Sequence, residues 1–139
     1  MSKQAKVYYA HFQGIYNTLQ EERDIQLLES LGFDVVNPNR PQIIAEVRHE
    51  LRLLKDAKES YKDVIYMQMF ETVFFTRVRD CEVFAFRALP DGRIPGGVYM
   101  ELEVAQKANK IIIELPSGTF SRQMGKEDTR EYLKEIGQR

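Results

Sequence analysis

The chain has 139 residues, 43% of them hydrophobic and 29% charged, with 20 Lys and Arg against 21 Asp and Glu and a pI near 6.2. A chain of this size supports one core burying about two-thirds of the unfolded surface, and the balanced charge excludes the clustered cations that nucleic-acid polymers require. Cys81, the single cysteine, excludes an internal disulfide and a four-cysteine zinc site and fits a reducing compartment. Met1 to Lys6 lacks the apolar stretch of a signal peptide, and no apolar run reaches membrane-spanning length, so a cytosolic, membrane-free protein is expected.

Val7 to Ala10 reads as a buried first strand, followed by a polar, Gly-containing loop from His11. Thr18 opens a helix: Thr18-x-x-Glu21 is a capping box, Ile25, Leu28 and Leu31 form an apolar stripe, and Gly32 stands at the C-terminal glycine position. Phe33 to Val36 is a second strand, stopped by Asn37-Pro38. Ile43, Ile44, Val47, Leu51 and Leu54 recur at helical spacing, which predicts a second amphipathic helix. Val64 to Val78 is rich in β-branched and aromatic residues but too long for an ordinary strand, and is read as helix.

Val83 to Phe86 is the next strand, and Pro90-Asp91-Gly92 places a tight turn in the loop after it. Gly96-Gly97 then introduces a helix from about Val98 to Ala108, with Val98, Leu102 and Ala105 facing the core. Ile111 to Leu115 is expected to be a central strand buried on both faces, ended by Pro116-Ser117-Gly118. Asp128 to Ile136 closes the chain as a helix, with Asp128 as its N-cap. Strands alternating with helices predict an α/β fold in one domain over 1–139, with a mostly parallel sheet covered on both faces.

In such a sheet, ligands bind beyond the carboxyl ends of the strands where strand order reverses. The loop from His11 to Asn17 and the loop from Arg87 to Gly97 are expected to meet there. Gly96 and Gly97 permit close approach of a ligand to backbone, and Glu101, read as lying in the first turn, would be held as an anion by the helix N-terminus. Helix-terminal electrostatics alone also favours Glu at such a place. Glu103 lies about 200° further round and belongs to another face.

Several short motifs now combine in order: Tyr8-Tyr9-Ala10-His11, the capped helix, Val35-Val36-Asn37-Pro38, Cys81-Glu82-Val83-Phe84, and Gly97-Val98-Tyr99-Met100-Glu101-x-x-x-Ala105. Together they resemble the nucleoside 2-deoxyribosyltransferase superfamily, which includes deoxynucleoside 5-monophosphate N-glycosidases. The resemblance implies a flavodoxin-like three-layer sandwich acting on the N-glycosidic bond of a nucleoside or nucleotide. It makes Glu101 the nucleophile on the anomeric carbon and Tyr8 the residue that orients it. His11 replaces the family's usual glycine, Val98 its Thr, and Glu103 its second helix glycine, while the family's acidic Asp falls at Pro95. Asp91, from its loop, or His11 would then supply the proton.

Ser117-Gly118 matches the pair that the related N-glycosidases use for phosphate, and is also an ordinary turn. His11, Phe12, Arg87, Gly96 and Gly97 complete the expected substrate contacts. No cofactor is expected, and His11 and His49, without a supporting cluster, make a poor metal site. Met67, Met69, Phe70, Phe74 and Phe75 are read as core but are too many for one helix face, so a homo-oligomer, dimer or higher, is expected to absorb the excess. The missing Asp motivates the alternative of a non-catalytic nucleotide-binding or sequestering protein on the same scaffold.

Overall fold

The computed structural model describes residues 4–116 and 124–138. Strands β1 (Lys6–Ala10), β2 (Asp34–Val36), β3 (Val83–Arg87) and β4 (Ile111–Leu115) form one sheet, all parallel, in the order β2-β1-β3-β4. Helices α1 (Leu19–Ser30), α2 (Pro41–Leu51), α3 (Glu59–Met69), α4 (Thr76–Asp80), α5 (Gly96–Lys107) and α6 (Lys126–Glu135) complete a flavodoxin-like α/β fold.

Side-chain alternation along the strands divides the core into two layers. With Val7 paired to Val83 and Tyr9 to Ala85, one face presents Val7, Tyr9, Val83, Ala85 and Leu115 to Leu28 of α1. The opposite face presents Tyr8, Ala10, Phe84 and Phe86 to Val78 of α4 and to Val98, Leu102 and Ala105 of α5. Each large apolar side chain buried in this way contributes about 1.5–3 kcal/mol. A third cluster, Ile43, Met69 and Val73, packs α2 against the long helical segment that follows it.

Helix α1 starts and stops where its local signals say. Thr18 is extended and its Oγ1 accepts from the Glu21 N–H at 3.3 Å. At the other end Gly32 takes φ +93°, so that its N–H reaches Glu29 O (2.9 Å) and the Phe33 N–H reaches Leu28 O (3.2 Å), a Schellman closure. Only half of the capping box forms, because the Glu21 carboxylate turns away to His11 and Asn39. Thr18→Ala is expected to lower stability by about 1 kcal/mol, read as a shift in the urea midpoint at unchanged slope; an unmoved midpoint would show that the cap adds nothing.

The segment read as helix over 64–78 is helical, and extends from Glu59 to Asp80. It is interrupted by a π-helical turn, Phe70–Phe75, between α3 and α4. The wider turn accommodates three large rings, with Phe70 5.5 Å from Phe74 and 5.8 Å from Phe75 between centroids. Val73 and Phe75 are buried, whereas Phe74 remains half-buried.

Two expectations are corrected. Ile111 to Leu115 is an edge strand: only β3 pairs with it among the described residues, and Ile111 is 65% exposed, because isoleucine runs mark β propensity and not position in the sheet. The last helix begins earlier than expected, at Lys126. Gly125, with extended φ −73° and ψ 165°, stands at the N-cap position, and Asp128 lies inside the first turn, where its charge favours the helix dipole. None of the residues of α6 is buried.

Candidate functional site

The chain leaves β1 to place β2 on one side, then crosses over to build β3 and β4 on the other, so strand order reverses between β1 and β3. A cleft of about 270 Å³ opens at their carboxyl ends. The loop after β1 contributes His11, Phe12, Gln13 and Tyr16, Pro38 follows β2, the π turn adds Phe74, Pro95 caps α5, and α5 itself adds Gly97, Val98 and Glu101. Its walls are thus mainly apolar and aromatic, with a few polar groups, as small-molecule sites usually are.

Glu101 is buried, at 7% exposure, and its Oε2 has no hydrogen-bond partner among the described residues. The Tyr8 hydroxyl is likewise buried and unpartnered. The two groups are close enough to affect each other's titration, yet among the described residues Glu101 Oε2 and the Tyr8 hydroxyl have no hydrogen-bond partner. Burial pushes the Glu101 carboxyl up to about 8, and the neighbouring Tyr8 hydroxyl only partly opposes this. Tyr8 itself is raised well above its ordinary value, first by burial and then by Glu101.

This corrects the expectation of a carboxylate held ionised in a first helical turn. Pro95 is the N-cap residue and Gly96 and Gly97 both lie inside the helix, which places Glu101 in the second turn. The helix dipole falls off within its first turn, so desolvation decides the protonation state.

His11 lines the cleft, but its ring is engaged elsewhere. Nδ1 lies 3.0 Å from Tyr9 O, Nε2 lies 2.7 Å from Glu21 Oε2, and the ring stacks on Tyr9 with centroids 3.9 Å apart. Burial lowers the pKa of His11, against the opposing pull of the Glu21 carboxylate and the Tyr9 carbonyl. Glu21 also accepts from the Asn17 N–H at 3.1 Å and from Asn39 Nδ2 at 3.0 Å, which ties the loop after β1 to the turn after β2.

Of the other expected site residues, Phe12 and Gly97 line the cleft. An added Cβ on Gly97 would meet only Phe70, at an ordinary 3.8 Å, so packing within the protein does not demand glycine there. Gly96 is exposed outside the lining. Asp91 is bound by the Arg93 side chain (2.6 Å) and backbone N–H (3.0 Å), which hold its carboxyl below the usual range; it does not line the cleft. Arg87 points into the other layer, where Nε and Nη2 each lie 2.6 Å from an oxygen of Asp24 and Nη1 donates to Pro116 O. Ser117 and Gly118 lie outside the described residues.

Sequence reasoning did not name Pro38 or Gln13 as site residues, and it assigned Phe74 to the core. Phe74 had no legible signal, because the π turn that directs it follows from packing. Asp24 did have one: it sits with Glu21, Ile25 and Leu28 at i, i+3, i+4 and i+7, an acidic pair on the buried stripe of α1. Among the described residues no group of three His, Cys, Asp or Glu side chains could hold a metal ion, and no helix is long and apolar enough to cross a membrane. No protein-family model matches any part of the chain, and no curated protein matches it either.

Proposed function

We propose that this protein cleaves or transfers the N-glycosidic bond of a deoxynucleoside or its 5-monophosphate through Glu101. One observation carries the reading: two polar groups, Glu101 Oε2 and Tyr8 Oη, are buried close together, without partners among the described residues, at a cleft on the switch point of a parallel sheet. Buried polar atoms without partners are rare in folded proteins, and a bound hydroxyl-bearing ligand would satisfy both. In the reaction, ionised Glu101 attacks the anomeric carbon as the base departs, giving a sugar ester that water or a second base resolves. A deoxyribose lacks the electron-withdrawing 2-hydroxyl, so positive charge develops there more easily. Tyr8 steadies the carboxylate as its proton leaves. The motif order shared with the 2-deoxyribosyltransferase superfamily supports the same assignment.

Purified protein incubated with a panel of deoxynucleosides and their 5-monophosphates, with and without an acceptor base, is expected to release free base. Silence across the whole panel removes the catalytic reading. The protonated resting state of Glu101 favours a second reading, a nucleotide-binding protein without turnover. Calorimetry separates the two, since binding with no base release is the second reading's signature. Self-association is part of the proposal, supported by exposed Tyr61, Val64 and Met67 on α3. A cytosolic location is supported by Cys81, a buried free thiol.

A further inference from the structure

Breaking an N-glycosidic bond leaves an electron pair on the base, and a donor facing Glu101 must stabilise it. Four lining side chains carry polar groups: His11, Gln13, Tyr16 and Glu101. His11 has both ring nitrogens occupied and no exposed side-chain surface. Gln13 is exposed at the start of a short 3-10 turn, Gln13–Ile15, and Asp91 is held outside the cleft by Arg93. Tyr16 remains. Its ring is tilted against His11 with centroids 4.9 Å apart, which fixes it at the cleft wall. The hydrogen bonds of this loop run through His11, Asn17 and Thr18, and among the described residues none involves the Tyr16 hydroxyl.

We propose that the Tyr16 hydroxyl donates the hydrogen bond that stabilises the departing base, opposite Glu101. This role rests on the glycosidic reading above. A Glu101 oxygen forms the new bond to the anomeric carbon, the carbon–nitrogen bond breaks, and its electron pair passes to the base. Tyr16 holds the resulting base anion by its O–H, and water then supplies the proton. Burial, with the Glu101 and Glu21 carboxylates, raises the Tyr16 phenol well above its ordinary value. Tyr16 therefore keeps its proton throughout the working range, as a hydrogen-bond donor and not a titrating acid.

The test compares wild type with Tyr16→Phe on ordinary purine deoxynucleosides and on their N7-methylated counterparts, whose cationic base departs neutral and needs no donor. On the ordinary substrates, kcat is expected to fall about a hundredfold, the usual effect of removing one donor to a developing anion, with KM little changed. On the methylated substrates the variant should match wild type, which also shows that it is folded. Equal losses on both substrate types, or no loss on either, overturn the role of Tyr16 while leaving the glycosidic reading intact. A wild type that releases base from no member of the full panel of deoxynucleosides and 5-monophosphates removes the glycosidic reading, and the role of Tyr16 goes with it.

Discussion

Glu101→Gln is expected to reduce base release by more than about a thousandfold while making the folded protein more stable at neutral and alkaline pH. The first effect follows from losing the nucleophile: an amide of the same shape fills the cleft floor but cannot form the sugar ester. The second follows from linkage. With its ordinary value at 4.5 and its folded value near 8, the Glu101 carboxyl binds a proton more tightly in the folded chain than in the unfolded one. Its contribution to stability is therefore complete below 4.5 and is lost as pH rises towards 8, at up to about 1.4 kcal/mol per pH unit. Glutamine has no proton to lose, so urea midpoints of the variant and wild type should diverge across that window and run parallel above it. Parallel curves throughout would mean that Glu101 is not desolvated. Turnover by wild type should rise roughly tenfold per pH unit and level near 8, because only the anion attacks.

Asp24→Ala is expected to destabilise the fold by about 3–5 kcal/mol, the cost of leaving a buried guanidinium without its carboxylate. Asp24 and Arg87 are both buried and joined by two contacts of 2.6 Å. Asp24 also accepts from the Tyr9 hydroxyl at 2.5 Å and from Gln20 Nε2 at 2.9 Å, so one carboxylate satisfies three side chains. Among the described residues, its removal leaves Arg87 hydrogen-bonded to the Pro116 carbonyl alone. The double replacement Asp24→Leu with Arg87→Met should recover much of the loss, since neither charge is then stranded. Chemical denaturation of the two singles and the double measures this directly. A single variant as stable as wild type would show that water already solvates the pair. The network also positions the site, because it clamps α1 to the end of β3, from which the chain enters the loop before α5.

Local signals in the sequence were strong where a residue and its immediate neighbours determine the outcome. Thr18 and Gly32 delimit α1 through hydrogen bonds spanning at most five residues: the Gly32 closure and the Thr18 half of the capping box formed, while the Glu21 half was lost to His11 and Asn39. The apolar runs at Val7 and Val83 marked buried parallel strands, and their alternation with helices placed Glu101 and the loop after β1 at one end of the sheet. Phe12, His11, Gly97 and Glu101 do meet there. Arg87 was assigned to the same cleft because its position in the chain is right. It points to the other layer because Asp24, 63 residues earlier, offers a bidentate partner. The loop position of Asp91 suits an acid, but Arg93, two residues on, holds it at the surface.

By itself, the sequence determined the order and type of the elements, their closure at turns and caps, and the meeting of the first loop with the helix that carries Glu101. These follow from periodicity and from backbone rules that act over a few residues. Only the tertiary structure decided which strand lies at the edge, which way Arg87 turns, how a π turn brings Phe74 to the cleft, and that burial pushes the Glu101 carboxyl up. Those outcomes depend on what packs around a group from distant parts of the chain, and desolvation exists only once that packing is complete.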